Sequence, residues 1–185
     1  MKRFTIAALL AAGAALAACD DKPKDAALPP PHTLTVEAVG NYCGMNLVEH
    51  AGPKGQIILA GWPEPVWFSS ARDVFAFTML PEEPKDIRAI YVSDMARAPS
   101  WEDPGADNWI EARKAFFVIG SSRSSGMGAD ETVPFGDRQA AEKFVAEYGG
   151  RIVTFSDVPR DYVLGSGAVE QHSANHHDPR PAHAH

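Results

Sequence analysis

Apolar and polar positions alternate in short blocks through the middle of this chain, and the blocks come twice in the same order. TLTVEAV at 33–39 and GQIILAG at 55–61 are rich in β-forming residues with partial alternation, which predicts two strands. PVWF at 65–68 predicts a third. Ser70 with Asp73 three positions on is a helix-start signature, and Pro81 and Pro84 require that helix to have ended. IRAIYVSD at 87–94 alternates again, with Ile87, Ala89 and Tyr91 on one face. Further on, a strand is expected over 113–120 and another in TVPF, 132–135. Asp137 then caps a helix that presents Ala140, Ala141, Phe144, Val145 and Tyr148 along one side. Gly149 or Gly150 stops it, and RIVTFSD, 151–157, forms the last strand. Phe68-Ser-Ser-Ala-Arg aligns with Phe135-Gly-Asp-Arg-Gln, and Tyr91-Val-Ser-Asp with Thr154-Phe-Ser-Asp. The expected fold is therefore α+β, two similar ββαβ units in tandem over 33–98 and 99–165. A turn-rich link holding Trp101 and Trp109 opens the second.

The ends read differently. Residues 1–18 have a short basic start, Lys2-Arg3, and an alanine-rich apolar run, which together form a secretory signal too short for a good spanning helix. Leu16-Ala17-Ala18-Cys19 has the form of a bacterial lipobox, which makes Cys19 the acylated first residue of the mature chain. Several acyl chains on one residue give stable membrane attachment. Asp20 and Asp21 resemble an inner-membrane retention signal. Residues 19–32 are a polar, proline-rich tether, and 166–185 are expected to be a disordered, histidine-rich tail.

Cleavage removes Lys2 and Arg3 and no acid, so the formal charge moves from -7 to -9. No basic stripe is present that would suit nucleic acid. With Cys19 acylated, Cys43 has no partner in its own chain, and an unpaired thiol outside the cytoplasm is open to oxidation. Either it packs as a small apolar side chain or it has work to do.

Its neighbourhood, NYCGMNLVEH, favours work. Thiolate, thioether and imidazole are soft ligands that select Cu(I) over Mg or Ca, whereas zinc gains little from a methionine sulfur. In an extended segment Cys43 and Met45 would face the same way and could meet one ion. His50 reaches such a site only through a turn, and a structural role in that turn is its alternative. A Gly-Met pair precedes each strand–helix–strand: Gly44-Met45 in the first half and Gly126-Met127 in the loop SSRSSGMGAD. If a pseudo-twofold axis relates the halves, Met45 and Met127 could approach one another. Met79 and Met95 are expected to pack in the core and at a strand end. His172, His176, His177, His183 and His185 in the tail could hold copper or zinc weakly. Besides a binder of zinc or mercury, separable by competition between metals, two rival readings stay open. In one, Cys43 is an enzyme nucleophile with His50 as its base, though no orienting third group or oxyanion motif stands out. In the other, the chain is a lipoprotein that only docks, through Trp62, Trp67 or its acidic surface.

Taken together, YCGMNLVEHAGPKGQIILAG, PVWFSSARDVFAFTMLPEEPK, AIYVSDM, WIEARKAFFVIGS, GMGADETVPF and YVLG resemble the NosL family over nearly all of residues 34–165. The resemblance implies a non-enzymatic, lipid-anchored copper chaperone on the periplasmic side of a bacterial membrane, carrying Cu(I) on Cys, Met and His type ligands. It also implies apo nitrous-oxide reductase as the destination and an associated ABC transporter complex as a partner. By position, Cys43 and Met45 are the family's Cys-Gly-Met. Some relatives carry a further cysteine three residues earlier; Gly40 stands there in this chain, which excludes a dithiol site. The family's histidine ligand maps to either His50 or His32.

Overall fold

The computed structural model describes residues 27–165. Cys19 and the histidines at 172, 176, 177, 183 and 185 lie outside the described residues.

The first unit is β1 (Gly55–Leu59), β2 (Val66–Phe68), α1 (Ala71–Met79) and β3 (Ile87–Ser93). Strand β1 lies between β2 and β3 and runs antiparallel to both, so α1 links two strands that are not neighbours. After β4 (Trp109–Glu111), which adds to the free edge of β3, the second unit repeats the arrangement. It comprises β5 (Phe116–Ile119), β6 (Val133–Phe135), α2 (Arg138–Tyr148) and β7 (Arg151–Thr154), with β5 central and both neighbours antiparallel. The registers correspond. Gly55 pairs with Phe68 and Val92, and Phe116 pairs with Phe135 and Thr154. Phe68 and Phe135 are therefore equivalent, as their sequence match suggests. Thr154 answers to Val92, one place along from the Tyr91 of the sequence match. A short helix, α3 (Arg160–Leu164), closes the chain against α1.

Local chemistry explains both long helices. The Ser70 side chain accepts from Asp73 N at 3.2 Å and Asp137 from Ala140 N at 2.8 Å, each satisfying an N–H that the first turn leaves free. Helix α1 ends at Leu80, before Pro81. Helix α2 ends at Gly149, whose φ of 72° suits glycine.

Helix α1 lies in the main core. Its Val74, Phe75 and Phe77 meet Ile57, Phe68, Ile90 and Val92 of the first sheet and Phe117, Ile119 and Val153 of the second. Phe75 makes edge contact with Phe117, with ring centres 4.9 Å apart. The approach of α1 to β1 depends on Gly55, where a Cβ would fall 2.0 Å from Val74 Cγ2. Residues alternating with these, Val118, Val133 and Phe135, turn to the opposite face of the second sheet, where α2 covers them with Ala141, Phe144 and Val145. One continuous main core thus serves both units.

Three expected strands change, one of them, 151–157, ending at Thr154 because Phe155–Asp157 form a 3-10 turn. Residues 33–39 form no strand; apart from a single bridge between Val39 and Asn46, the segment is irregular. It is held across the outer face of the first sheet. His32 N donates to Gln56 Oε1 and Gln56 Nε2 to His32 O, both at 2.8 Å, and Leu34 N donates to Ala106 O at 2.9 Å. The segment's polar groups go to a side-chain amide and a loop carbonyl instead of a strand ladder. The strand expected at 113–120 begins only at Phe116, because Ala112–Lys114 form a 3-10 turn. Met79 and Met95 pack against the two core clusters, as expected.

Candidate metal centre

Cys43 lies in a tight turn, not an extended segment. Gly44 N donates to Gly40 O at 2.8 Å, and Gly40 N to Met45 O at 2.9 Å, so the chain folds back on itself around the thiol. Gly44, at φ 65°, takes the left-handed conformation that closes this loop. Cys43 and Met45 therefore owe their nearness to a turn rather than to strand alternation. The half-buried sulfur of Cys43 points back at carbonyl oxygens, 4.0 Å from Gly40 O and 3.9 Å from Met45 O. Neither can take its proton. Gly40 is needed for space: a Cβ there would lie 2.5 Å from Cys43 Sγ. The glycine at this place thus makes room for the one thiol. Met45 is exposed beside it.

A 3-10 turn, Leu47–Glu49, carries the chain on to His50. Leu47 anchors it in the interior. The His50 ring lines a cavity of about 270 Å³ with Leu34, Leu47, Val48, Lys54, Glu102, Asp103 and Pro104. Its Nε2 is buried and has no hydrogen-bond partner, which for a buried ring nitrogen asks for an explanation. His32 is placed elsewhere, with its backbone on Gln56 and its Nδ1 3.8 Å from Glu64.

The second Gly-Met pair reaches this region by a different route from the first. Gly44-Met45 precedes β1, whereas Gly126-Met127 lies between β5 and β6, so the two pairs do not occupy equivalent places in the repeat. The β5–β6 loop nonetheless reaches the His50 segment. A Cβ on Gly126 would stand 2.8 Å from Ala51 O and 2.9 Å from His50 Cβ. Met127 sits at the tip of a turn closed by Gly128 N to Ser125 O and Ser125 N to Ala129 O, both 2.8 Å, and its side chain is half exposed. The structure brings together the His50 backbone and the Met127 loop, and separately Cys43 and Met45. Among the described residues no three Cys, His, Asp or Glu side chains cluster as a ready-made metal site.

Residues that the sequence did not single out hold these segments in place. Trp101 O accepts from Gly52 N at 2.7 Å, and a Cβ on Gly52 would lie 3.2 Å from the indole. Arg123 stacks on the same indole at 4.3 Å and on Tyr148 at 5.2 Å, and Trp101 stacks on Phe144. One tryptophan thus braces both the 50–52 segment and the start of the Met127 loop. Beneath lie two buried ionisable side chains, Lys54 and Glu131. Lys54 Nζ donates to the carbonyls of His50 and Gly52, each at 2.6 Å, and burial pushes its pKa down to about 8 against the attraction of Glu131. Glu131, fully buried, accepts through Oε1 from Arg72 N at 3.0 Å and Thr132 N at 2.8 Å. Its Oε2 has no partner, and burial pushes its pKa up to about 8 despite those N–H groups. An isolated charge within an otherwise ordinary stretch gives no sign in the sequence that it will be buried.

Fold and site together define a small α+β protein of two similar units that, among the described residues, presents one thiol and exposed thioethers on turns, donors of the kind soft ions prefer. The comparisons agree with that class. The NosL family model matches residues 31–163, and the chain belongs to this family. It is 45% identical over 163 residues to the copper-binding lipoprotein NosL of Achromobacter cycloclastes, covering 88% of this chain and 82% of that one. It is 31% identical over 144 residues to the copper-binding lipoprotein NosL of Stutzerimonas stutzeri, covering 77% and 73%. The crystal structure of the copper chaperone NosL from Shewanella denitrificans superposes with a TM-score of 0.66 at 33% identity, over 71% of this chain and 98% of that one.

Proposed function

We propose that this chain is a periplasmic Cu(I) carrier, anchored to the inner membrane through acylated Cys19, which delivers copper for the assembly of nitrous-oxide reductase with the help of an ABC transporter complex. The observation that carries this reading is the single thiol of Cys43, half-buried in a tight turn whose next exposed side chain but one is a thioether. A thiolate with thioether neighbours suits a soft monovalent ion. Few ligands leave room for an incoming acceptor ligand to bind before the donor lets go, which is what transfer requires. Cys43 and Met45 form the core of the proposed ligand set. Met127 and His50 complete it from the β5–β6 loop and the 3-10 turn, and the unpartnered Nε2 of His50 supports a place for that ring. The names of the relatives support copper as cargo and a lipid anchor.

The test is anaerobic competition for Cu(I) between a chromophoric chelator and the soluble chain, residues 20–185. One equivalent is expected to bind. Cys43→Ser should weaken it at least ~100-fold, about 3 kcal/mol, with the circular dichroism unchanged, and truncation after Gly165 should spare it. A Cys43→Ser chain with undiminished affinity, or a preference for zinc over Cu(I), would sink the proposal.

A further inference from the structure

The exposed apolar side chains are unevenly placed. Of the large apolar residues left exposed among those described, Val36, Val39, Tyr42, Met45 and Val48 lie within thirteen positions of one another around Cys43. Trp62, 56% exposed, shares a groove with Val39, Asn41, Glu64 and Trp67, and Asn41 N donates to Trp67 O at 2.8 Å, which joins strand β2 to the Cys43 turn. Met127 adds another at the loop that abuts His50. Leu28 is the remaining exposed large apolar side chain among the described residues. Single exposed apolar residues are ordinary, but a concentration of them marks a contact surface.

Around the Cys43 turn and the β1–β2 loop the exposed charges are of one sign. Between residues 27 and 70 the exposed charged side chains are Glu37, Glu49 and Glu64, while Lys54, the single Lys or Arg of that stretch, is buried. Glu83 joins them, accepting from the Tyr42 hydroxyl at 2.8 Å. An acidic margin disfavours an anionic lipid surface and favours a protein whose own margin is basic.

We propose that this apolar, acid-edged surface is where the copper-accepting protein docks, and that the acceptor presents an apolar depression bordered by Lys and Arg. The inference rests on the carrier reading above and adds to it the face and the chemistry of the partner. Apolar contact would expel water around the thiol, and the acidic margin would steer encounter and fix orientation, placing the acceptor's ligands over Cys43.

The experiment uses the full-length, copper-loaded chain in vesicles made from the membranes of cells that produce it, with copper-free nitrous-oxide reductase as the probe. The appearance of the reductase's copper absorption gives a transfer rate. Trp62→Ser is expected to lower the rate about tenfold at every salt concentration. The triple change Glu37→Lys, Glu49→Lys, Glu64→Lys should lower it at least tenfold at low salt, with the deficit shrinking as salt screens the charges. Chelator competition should show copper affinity unchanged in both variants. Rates equal to the unsubstituted chain in both would overturn the proposal. So would a Trp62→Ser chain that transfers normally but loses binding to phosphatidylglycerol vesicles, since the surface would then face lipid. Faster transfer after truncation beyond Gly165 would overturn it too, by making the chain's own tail the occupant. If the unsubstituted chain transfers no copper while still binding it, delivery to the reductase itself falls, a result distinct from any difference among variants.

Discussion

The two ββαβ units share strand order, register and helix position, yet their connections do different work. In the first, the loop between the paired strands is six residues, 60–65, and the sulfur-bearing turn lies upstream of β1. In the second, the loop between the paired strands runs from 120 to 132 and itself carries Met127. Their helices differ in the same sense. Helix α2 is capped by its own Asp137, whereas α1, capped by Ser70, also receives Glu131 from the second unit on its Arg72 N–H. The comparison teaches that the repeat supplies a symmetric frame and that the candidate site is built where the symmetry fails. The first unit holds the thiol, and the second reaches over with a loop and a buried carboxylate to hold the first.

The largest expected effect concerns that carboxylate. Glu131 has a folded pKa of about 8 against an ordinary value of 4.5, so the folded chain keeps a proton between those pH values that the unfolded chain has released. Its contribution is therefore full below pH 4.5 and is lost as the pH rises through 8. Lys54, lowered to about 8 from 10.5, works above that range: its cost is present below pH 8 and disappears as the pH climbs toward 10.5. Urea unfolding between pH 5 and 8 should show stability falling with pH by an amount on the order of a few kcal/mol. Glu131→Gln, which keeps an oxygen for the Arg72 and Thr132 N–H groups, should flatten that fall, while Asp137→Asn in the other helix cap should leave it in place. Equal slopes in Glu131→Gln and the unsubstituted chain would mean that the units are not coupled through this side chain.

Next in size are the two glycines that precede the methionines. A methyl group at Gly126 runs into Ala51 O and His50 Cβ, both part of the other unit's backbone path or its root. At Gly44 it meets nothing within 4 Å, and only the left-handed backbone is strained. Gly126→Ala should cost about 1–3 kcal/mol by forcing the loop away and weaken Cu(I) uptake with it. Gly44→Ala should cost about 1–2 kcal/mol through backbone conformation alone. Denaturation midpoints in the reverse order would show that the Met127 loop does not bear on the His50 segment.

Helix positions were legible because their signals are local: Ser70 and Asp137 each sit one residue before the first turn and bond within it. The strand expected at 33–39 was not, because alternation says a segment could pair without saying whether it will. Val36 and Val39 kept the β-forming chemistry and ended exposed. At the site, the chemistry of Cys43 and Met45 was readable from residue types, but the geometry that brings them together was misread as extended. The symmetry argument paired Met45 with Met127, whereas the contact the Gly126 loop makes is with His50 and Ala51. Lys54, Glu131 and the Trp101–Arg123 stack were invisible, since each depends on contacts between residues far apart in the chain.

The smallest effect, and the sharpest, tests whether Trp101 braces the loop or merely packs. Its indole lies between Gly52, next to the His50 segment, and Arg123, four residues before Met127, while its other ring neighbour Phe144 belongs to the second core. Trp101→Phe keeps an aromatic ring against Phe144 and shortens its reach toward Gly52 and Arg123. If the brace serves the ligand carried on the loop, Trp101→Phe should weaken Cu(I) binding about threefold to tenfold, roughly 0.7–1.4 kcal/mol. In a chain already lacking that ligand, Met127→Leu, the same substitution should then cost nothing further, because the two changes act on one contact. A purely structural role would lower stability in both backgrounds and leave the copper affinities additive. Copper X-ray absorption adds an independent readout, since loss of the loop ligand removes one sulfur from the first coordination sphere in Trp101→Phe as it does in Met127→Leu. Additive affinities with an unchanged sulfur count would show that the second unit holds the first without contributing to its ion.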